Sequence, residues 1–260
     1  MSKSAQSEVV KLLWSGGWDS TFRLLQIILE EKKAAQPYYL IDPDRKSLRI
    51  EIKTMRDIKN RILKDFPEAS ERILPTKFSE IKDLKPDETL TIAYQEINSF
   101  RHLATQYLWF SWFCKGEGID DMELGTEHKA EETNACLFRY YLTRIGDTAK
   151  FRIADEFLGG PFGDLFKNFR FPNFGYSKWD MKEKAEELGW LEIMKITWFC
   201  HYPIHDRIPC GNCVPCAQAI EEGFAWRIPT YRRILKALGL LKVKHSIGIL
   251  FRKVYPNFHS

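Results

Sequence analysis

Ser15, Gly16, Gly17, Trp18, Asp19 and Ser20 form the run Ser-Gly-Gly-Trp-Asp-Ser, followed directly by Thr21. The residues before it, EVVKLLW, read as a short apolar strand. After it, Phe22, Leu24, Leu25, Ile28 and Leu29 recur at helical spacing. The glycine pair therefore sits between a strand and a helix. The first backbone N–H groups of a helix have no partner inside it. They converge on one spot, and the helix dipole makes that spot favour an anion. Glycine lets the backbone approach phosphate oxygens, and Ser15, Ser20 and Thr21 add hydroxyl donors. The expected chemistry is phosphate binding. The run fits neither G-x-x-x-x-G-K-[ST] nor G-x-G-x-x-G. Asp19 would repel phosphate unless it holds Mg²⁺ or caps backbone N–H groups.

A second cluster lies near the C-terminus, in CHYPIHDRIPCGNCVPC. Cys210, Cys213 and Cys216 have C-x-x-C-x-x-C spacing, and Cys200 precedes them by ten residues. Four thiolates can close a tetrahedral Zn²⁺ site, which leaves no open position and so is structural. His201 and His205 are possible substitute ligands. The same spacing also suits an iron–sulfur cluster. Cys114 and Cys136 fall inside helical patterns and read as buried core residues.

The elements that must carry these clusters alternate in type. Strands are expected at 38–41, 89–93, 122–125 and 196–199. Helices are expected at 55–66, 100–114 and 131–142, and from Ser177 as N-cap to Gly189 as stop. The stretch 156–176 reads as loop, with Gly159-Gly160-Pro161-Phe162-Gly163 as a mobile segment. Alternating strands and helices imply an α/β fold built on a parallel sheet covered on both faces. The chain turns Cys- and Pro-rich near Phe199, which suggests domains at 1–199 and 200–260.

With 260 residues the chain can bury a sizeable core, and 28% charged residues is ordinary for a globular protein. No run of eighteen apolar residues occurs, so no membrane span or membrane partner is expected. The start MSKSAQSEVV lacks a signal-peptide layout, and the expected compartment is the cytosol. Six cysteines there favour metal or catalysis over disulfides. The net charge of +4 is too small to argue for nucleic acid and does not exclude it. From Phe224 onward there is no Asp or Glu, but there are Arg227, Arg232, Arg233, Lys236, Lys242, Lys244, Arg252 and Lys253. Such an end can meet phosphate, an acidic protein surface or a membrane surface, or is a solvated helix and tail.

Ser-Gly-Gly-x-Asp-Ser after a first strand resembles the signature of the PP-loop ATP pyrophosphatases. That resemblance implies a Rossmann-like layout, ATP cleavage between the α- and β-phosphates, and transfer of AMP to an oxygen of the substrate. Ser15, Gly16, Gly17, Asp19, Ser20 and Thr21 would carry ATP, with Asp19 and Ser20 closest to catalysis. Leu13, Trp14 and Trp18 would adjoin the nucleotide. Joined to the Cys cluster and to FPNFGYSKWDMKEKAEELGW, the loop is similar to the 7-cyano-7-deazaguanine synthase family over roughly residues 10–224. This implies a zinc-stabilised enzyme, often a homodimer. It would adenylate 7-carboxy-7-deazaguanine and let ammonia form the amide and then the nitrile.

The chain departs from that family at three places. Ala219 stands where the family has Arg. The region GTEHKAEETNACLFR lacks the usual substrate-holding run, for which Glu127, Glu132, Asn134 and Arg139 are candidate replacements. The basic C-terminal extension is also additional. Four readings follow: amide or nitrile formation with an altered pocket, transfer to a protein amine as in antiviral relatives, tRNA thiolation, or a non-catalytic nucleotide-binding subunit. Lys178, Arg152 and Asp155 could reach a ligand or be surface charges.

Overall fold

The computed structural model describes residues 9–126, 135–148 and 150–241. Five parallel strands form one sheet: β1 (Val9–Leu13), β2 (Ala34–Ile41), β3 (Lys77–Glu80), β4 (Met122–Leu124) and β7 (Phe169–Arg170). Their order is β3-β2-β1-β4-β7. The chain steps outward from β1 to β2 and β3, then returns to the other side of β1 with β4. Buried positions run without a break along the interior of β2, as a strand covered on both faces requires. An antiparallel pair, β5 (Leu142–Arg144) and β6 (Phe151–Ile153), forms a second small sheet, and Phe151 of β6 bridges Phe171 just after β7.

Two sets of helices cover the sheet. Leu13, Met122 and Leu124 pack into one apolar cluster with α3 (Glu88–Phe100), α4 (Gln106–Gly116), α5 (Ala135–Tyr141) and α6 (Pro161–Phe166). Glu123 points the opposite way, because side chains alternate along a strand. There its carboxylate meets Arg23 of α1 (Trp18–Leu25), with Nε 2.6 Å from Oε2. This second face also carries α2 (Leu48–Asp65), α7 (Lys178–Glu187) and α8 (Leu191–Met194), with Phe22 edge-on to Trp190.

Arg23 and Glu123 are both almost fully buried, and Glu31 and Lys150 extend the network. Burial opposes the guanidinium charge, but Glu123 and Glu31 outweigh it and hold Arg23 above its usual value. Removing one partner of such a pair strands the other charge, at a cost of about 3–5 kcal/mol.

Several expectations need correction. Residues 89–93 are helical: Asp87 caps α3 by accepting the Leu90 N–H, and Leu90, Ala93 and Ile97 form its buried stripe. The expected helix at 100–114 is interrupted, because Asn98 Oδ1 takes the Leu103 N–H and α4 begins only at Gln106. Residues 196–199 form no strand; Trp198 N–H bonds the Gly16 carbonyl instead. The Gly159–Gly163 run is not merely a loop, since Pro161 opens α6. α2 begins seven residues before the expected start. The expected start of the helix at 131 and the side chain of Cys136 lie outside the described residues.

The chain divides into two compact units, Met1–Trp198 and Phe199–Ser260. In the second, α9 (Val214–Glu221) follows Cys213, and α10 (Thr230–Ala237) is strongly amphipathic. Tyr231, Ile234 and Leu238 of that helical segment are exposed, while Arg232, Arg233 and Lys236 lie on its other side. Among the described residues, no helix is long and apolar enough to cross a membrane.

Candidate nucleotide cleft and cysteine centre

The run Ser15–Ser20 joins the end of β1 to the start of α1, with Gly17 as N-cap. Gly16 has φ +71°, and a Cβ there would lie 3.1 Å from Met55 Cγ and 3.3 Å from Thr54 Cγ2. Both facts select glycine. Three carbonyls of the run accept hydrogen bonds, two of them from distant segments. Gly16 O accepts from Trp198 N–H at 3.0 Å, and Gly17 O from Thr21 N–H at 3.0 Å. Asp19 O accepts from Asn173 Nδ2 at 2.7 Å. The amides of Ser15, Gly16, Gly17 and Ser20 make no hydrogen bond among the described residues. A loop with its acceptors engaged and its donors free has the polarity an anion needs.

β4 presses on this loop from the far side. A Cβ on Gly125 would fall 2.9 Å from both the N and Cα of Ser20. Only hydrogen fits there, so the end of β4 fixes the first turn of α1. Asn173, fully buried after β7, secures the same turn through Asp19. Trp14 is locked as well, its indole N–H donating to Thr21 Oγ1 at 3.1 Å. Lys59 lies over the Trp14 ring at 5.7 Å, its ammonium depressed by burial.

A cavity of about 180 Å³ opens beside the loop. Its floor includes Leu13, Trp14, Ser15, Gly17, Asp19 and Ser20. On the β2 side stand Tyr38, Tyr39, Leu40, Asp42, Arg45 and Glu51. On the β4 side stand Leu124, Gly125 and Thr126, faced by Gln106, Tyr107, Trp109 and Phe110 of α4. The cavity lies at the carboxyl ends of β1, β2 and β4, where strand order reverses. Open α/β sheets bind ligands at that crevice. Burial, then the nearby Asp19 carboxylate, push the Tyr107 phenol above its ordinary range.

The sequence reading gathers most of the floor, with three exceptions. Gly16, Trp18 and Thr21 do not line the cavity. Trp18 is buried, Gly16 backs onto α2, and the Thr21 hydroxyl serves Trp14. Glu127, Glu132 and Asn134 lie outside the described residues, and Arg139 is exposed. Arg152 pairs with Asp155 at 2.5 Å on the surface. Lys178 opens α7 behind the Ser177–Asp180 capping box. The α4 wall and the β2 rim are absent from the sequence reading. The signal available for the rim was a polar residue directly after an apolar strand.

In the second unit, Cys200, Cys210, Cys213 and Cys216 bring their sulfurs within 4.8 Å of one another. Cys210 and Cys216 Sγ are 3.9 Å apart, and Cys213 and Cys200 Sγ are 3.8 Å apart. Zinc–sulfur bonds of about 2.3 Å in a tetrahedron separate sulfurs by about 3.8 Å, so the cluster fits Zn²⁺. Backbone amides supply the surrounding donors: Cys210 N–H to Cys200 Sγ, and Asn212 and Cys213 N–H to Cys210 Sγ. Bonds from the neighbouring thiols, Cys200 first, hold the Cys210 thiol far below its ordinary value. Arg232 of α10 donates from Nε to the Cys210 carbonyl at 3.0 Å and also through Nη2, fastening the basic helix to the cysteine loop.

No protein-family model matches the chain, and no curated protein matches it. A 4-thiouridine synthetase is among the solved structures that do. That structure is a complex with RNA and bound ATP, matched at 18% identity with a TM-score of 0.36. The match covers 90% of this chain and 53% of that one, so this chain spans about half its length.

Proposed function

We propose that the cleft binds ATP and uses it to adenylate a carboxylic acid, with cleavage between the α- and β-phosphates. The observation that carries this reading is the polarity of the Ser15–Ser20 loop at the switch point: the Gly16, Gly17 and Asp19 carbonyls are engaged, and the Ser15, Gly16, Gly17 and Ser20 amides make no hydrogen bond among the described residues. The amides of Ser15, Gly16, Gly17 and Ser20 hold the departing phosphates, and the Ser15 and Ser20 side chains add donors. Mg²⁺, which the Asp19 carboxylate would hold at the cleft floor, supplies charge neutralisation of the leaving pyrophosphate.

In the first step a substrate carboxylate oxygen forms a bond to the α-phosphorus, and the bond to the β-phosphate oxygen breaks. A poor electrophile becomes an acyl adenylate with AMP as leaving group. Ammonia then adds to the acyl carbon, AMP departs and a proton is lost, giving an amide. Activation of the amide oxygen by a second ATP and loss of AMP gives a nitrile. The role of the chain is to hold the reacting groups in place and to present donors where negative charge develops.

The substrate in this reading is 7-carboxy-7-deazaguanine. Its support is the resemblance of the loop, the Ser177 segment and the cysteine cluster to the deazaguanine synthases. The aromatic wall of Tyr107, Trp109 and Phe110 also suits a flat heterocycle. The cysteine unit takes structural Zn²⁺. A second reading, transfer of the activated acyl group to a macromolecular amine, is supported by the acid-free stretch after Glu222 and the exposed apolar side of α10.

The test is incubation with Mg-ATP, 7-carboxy-7-deazaguanine and ammonium, following pyrophosphate and small-molecule masses. Pyrophosphate with the amide or nitrile supports the first reading. Pyrophosphate with an acyl adenylate alone moves the balance to the second. No ATP cleavage by folded, zinc-loaded protein rejects the substrate.

A further inference from the structure

The β2 rim carries two polar side chains that the phosphate loop does not use. Asp42 follows the last residue of β2, Arg45 comes three residues later, and both line the cleft. Among the described residues Arg45 is held only through Nε, which donates to Glu51 Oε1 at 2.8 Å and Ser47 Oγ at 3.2 Å. Glu51 is 5% exposed and is itself fixed by the Tyr39 hydroxyl at 2.7 Å and the Ser47 hydroxyl at 2.6 Å. Burial works against the charge on Arg45, but Glu51 outweighs it, so the guanidinium stays protonated.

The two terminal nitrogens of Arg45 have no partner among the described residues. Asp42 Oδ1 accepts the Asp44 N–H at 3.0 Å, while Oδ2 accepts nothing among them. The rim therefore presents a positioned acceptor and a positioned donor fork, both unsatisfied, facing a cavity. β2 is hydrogen-bonded to β1, and adjacent strands lie about 4.8 Å apart. That spacing places the rim one strand from the phosphate loop. In open α/β sheets an acidic side chain on the neighbouring strand end meets the hydroxyls of a ribose whose phosphates sit at the first helix.

We propose that Asp42 and Arg45 form the ribose subsite of the nucleotide. Asp42 Oδ2 accepts from a ribose hydroxyl, and the Arg45 fork donates to a hydroxyl oxygen. The assignment rests on the ATP reading and adds to it a demand for a ribonucleotide over a deoxyribonucleotide.

Calorimetric titration of the full chain with Mg-ATP and its 2′-deoxy and 3′-deoxy analogues tests the subsite. The wild-type protein binds ATP more tightly than at least one deoxy analogue, by about 10-fold or more, as loss of a charge-assisted hydrogen bond requires. Asp42→Ala loses that discrimination: ATP weakens about 10-fold or more, while the affected analogue hardly changes. Arg45→Lys, which can still pair with Glu51, narrows the discrimination in the same direction. Equal weakening of ATP and both analogues, or unchanged discrimination in Asp42→Ala, overturns the ribose subsite and leaves ATP binding standing. Absence of ATP binding by the wild-type protein overturns both.

Discussion

Asn173 donates its side-chain amide to the carbonyl oxygen of Asp19 across 2.7 Å, joining the segment after β7 to the first turn of α1. Asn173 is fully buried, and its Oδ1 has no hydrogen-bond partner among the described residues. The Nδ2 bond is therefore what offsets the burial of this side chain and fixes its orientation. Asn173→Ala leaves the Asp19 carbonyl without that donor and lowers stability by about 1–3 kcal/mol in urea unfolding. ATP affinity falls with it, because the turn that orients the Ser20 amide is no longer held. An unchanged affinity would remove Asn173 from any positioning role.

Gly125 acts on the same turn by contact. Gly125→Ala places a methyl group 2.9 Å from the Ser20 backbone, which has to move. The expected result is loss of ATP binding by more than about 10-fold with overpacking destabilisation of about 1–3 kcal/mol. Calorimetry and thermal melting on one sample separate the two effects. Wild-type affinity in Gly125→Ala would show that the loop tolerates displacement.

The cysteine unit predicts metal content directly. The purified chain carries one zinc and no iron or acid-labile sulfide, measured by elemental and sulfide analysis. Cys213→Ser lowers the zinc content and unfolds the Phe199–Ser260 unit, because the metal supplies folding free energy for a small unit. Cys114, whose thiol burial pushes up to about 12, stays unmodified by alkylating reagents at pH 8 in the native protein. Iron with sulfide would replace the zinc assignment.

Acid should loosen the Arg23–Glu31 pair. Burial opposes ionisation of Glu31, but Arg23 outweighs it and holds the carboxyl below the ordinary 4.5. A carboxyl lowered by folding contributes stability above its unfolded value and loses it as pH falls through the folded value. Stability measured in denaturant should therefore drop below about pH 4.5, and the drop should be smaller in Glu31→Gln. Identical pH profiles for the two proteins would count against the network.

The parallel sheet and the chemistry-bearing runs were legible because their signals are local. β1 is an apolar run ending at glycines, and C-x-x-C-x-x-C is a spacing. Elements set by capping or tertiary contacts were not. Thr89–Ala93 is β-branched and alternating, yet the Asp87 cap and the Leu90–Ala93–Ile97 stripe make it helical. β5, β6 and β7 have two or three residues each, too few for periodicity to register. The β2 rim was not legible, because nothing local says that Glu51 meets both Arg45 and Tyr39.

The most direct test of the central claim is the identity of the nucleotide products. The protein is incubated with Mg-ATP and the carboxylic acid, and the nucleotides are separated by chromatography. The account predicts AMP and pyrophosphate in equal amounts, dependent on the acid and abolished in Asp19→Ala. ADP with inorganic phosphate would contradict it, because the bond broken would then lie between the β- and γ-phosphates.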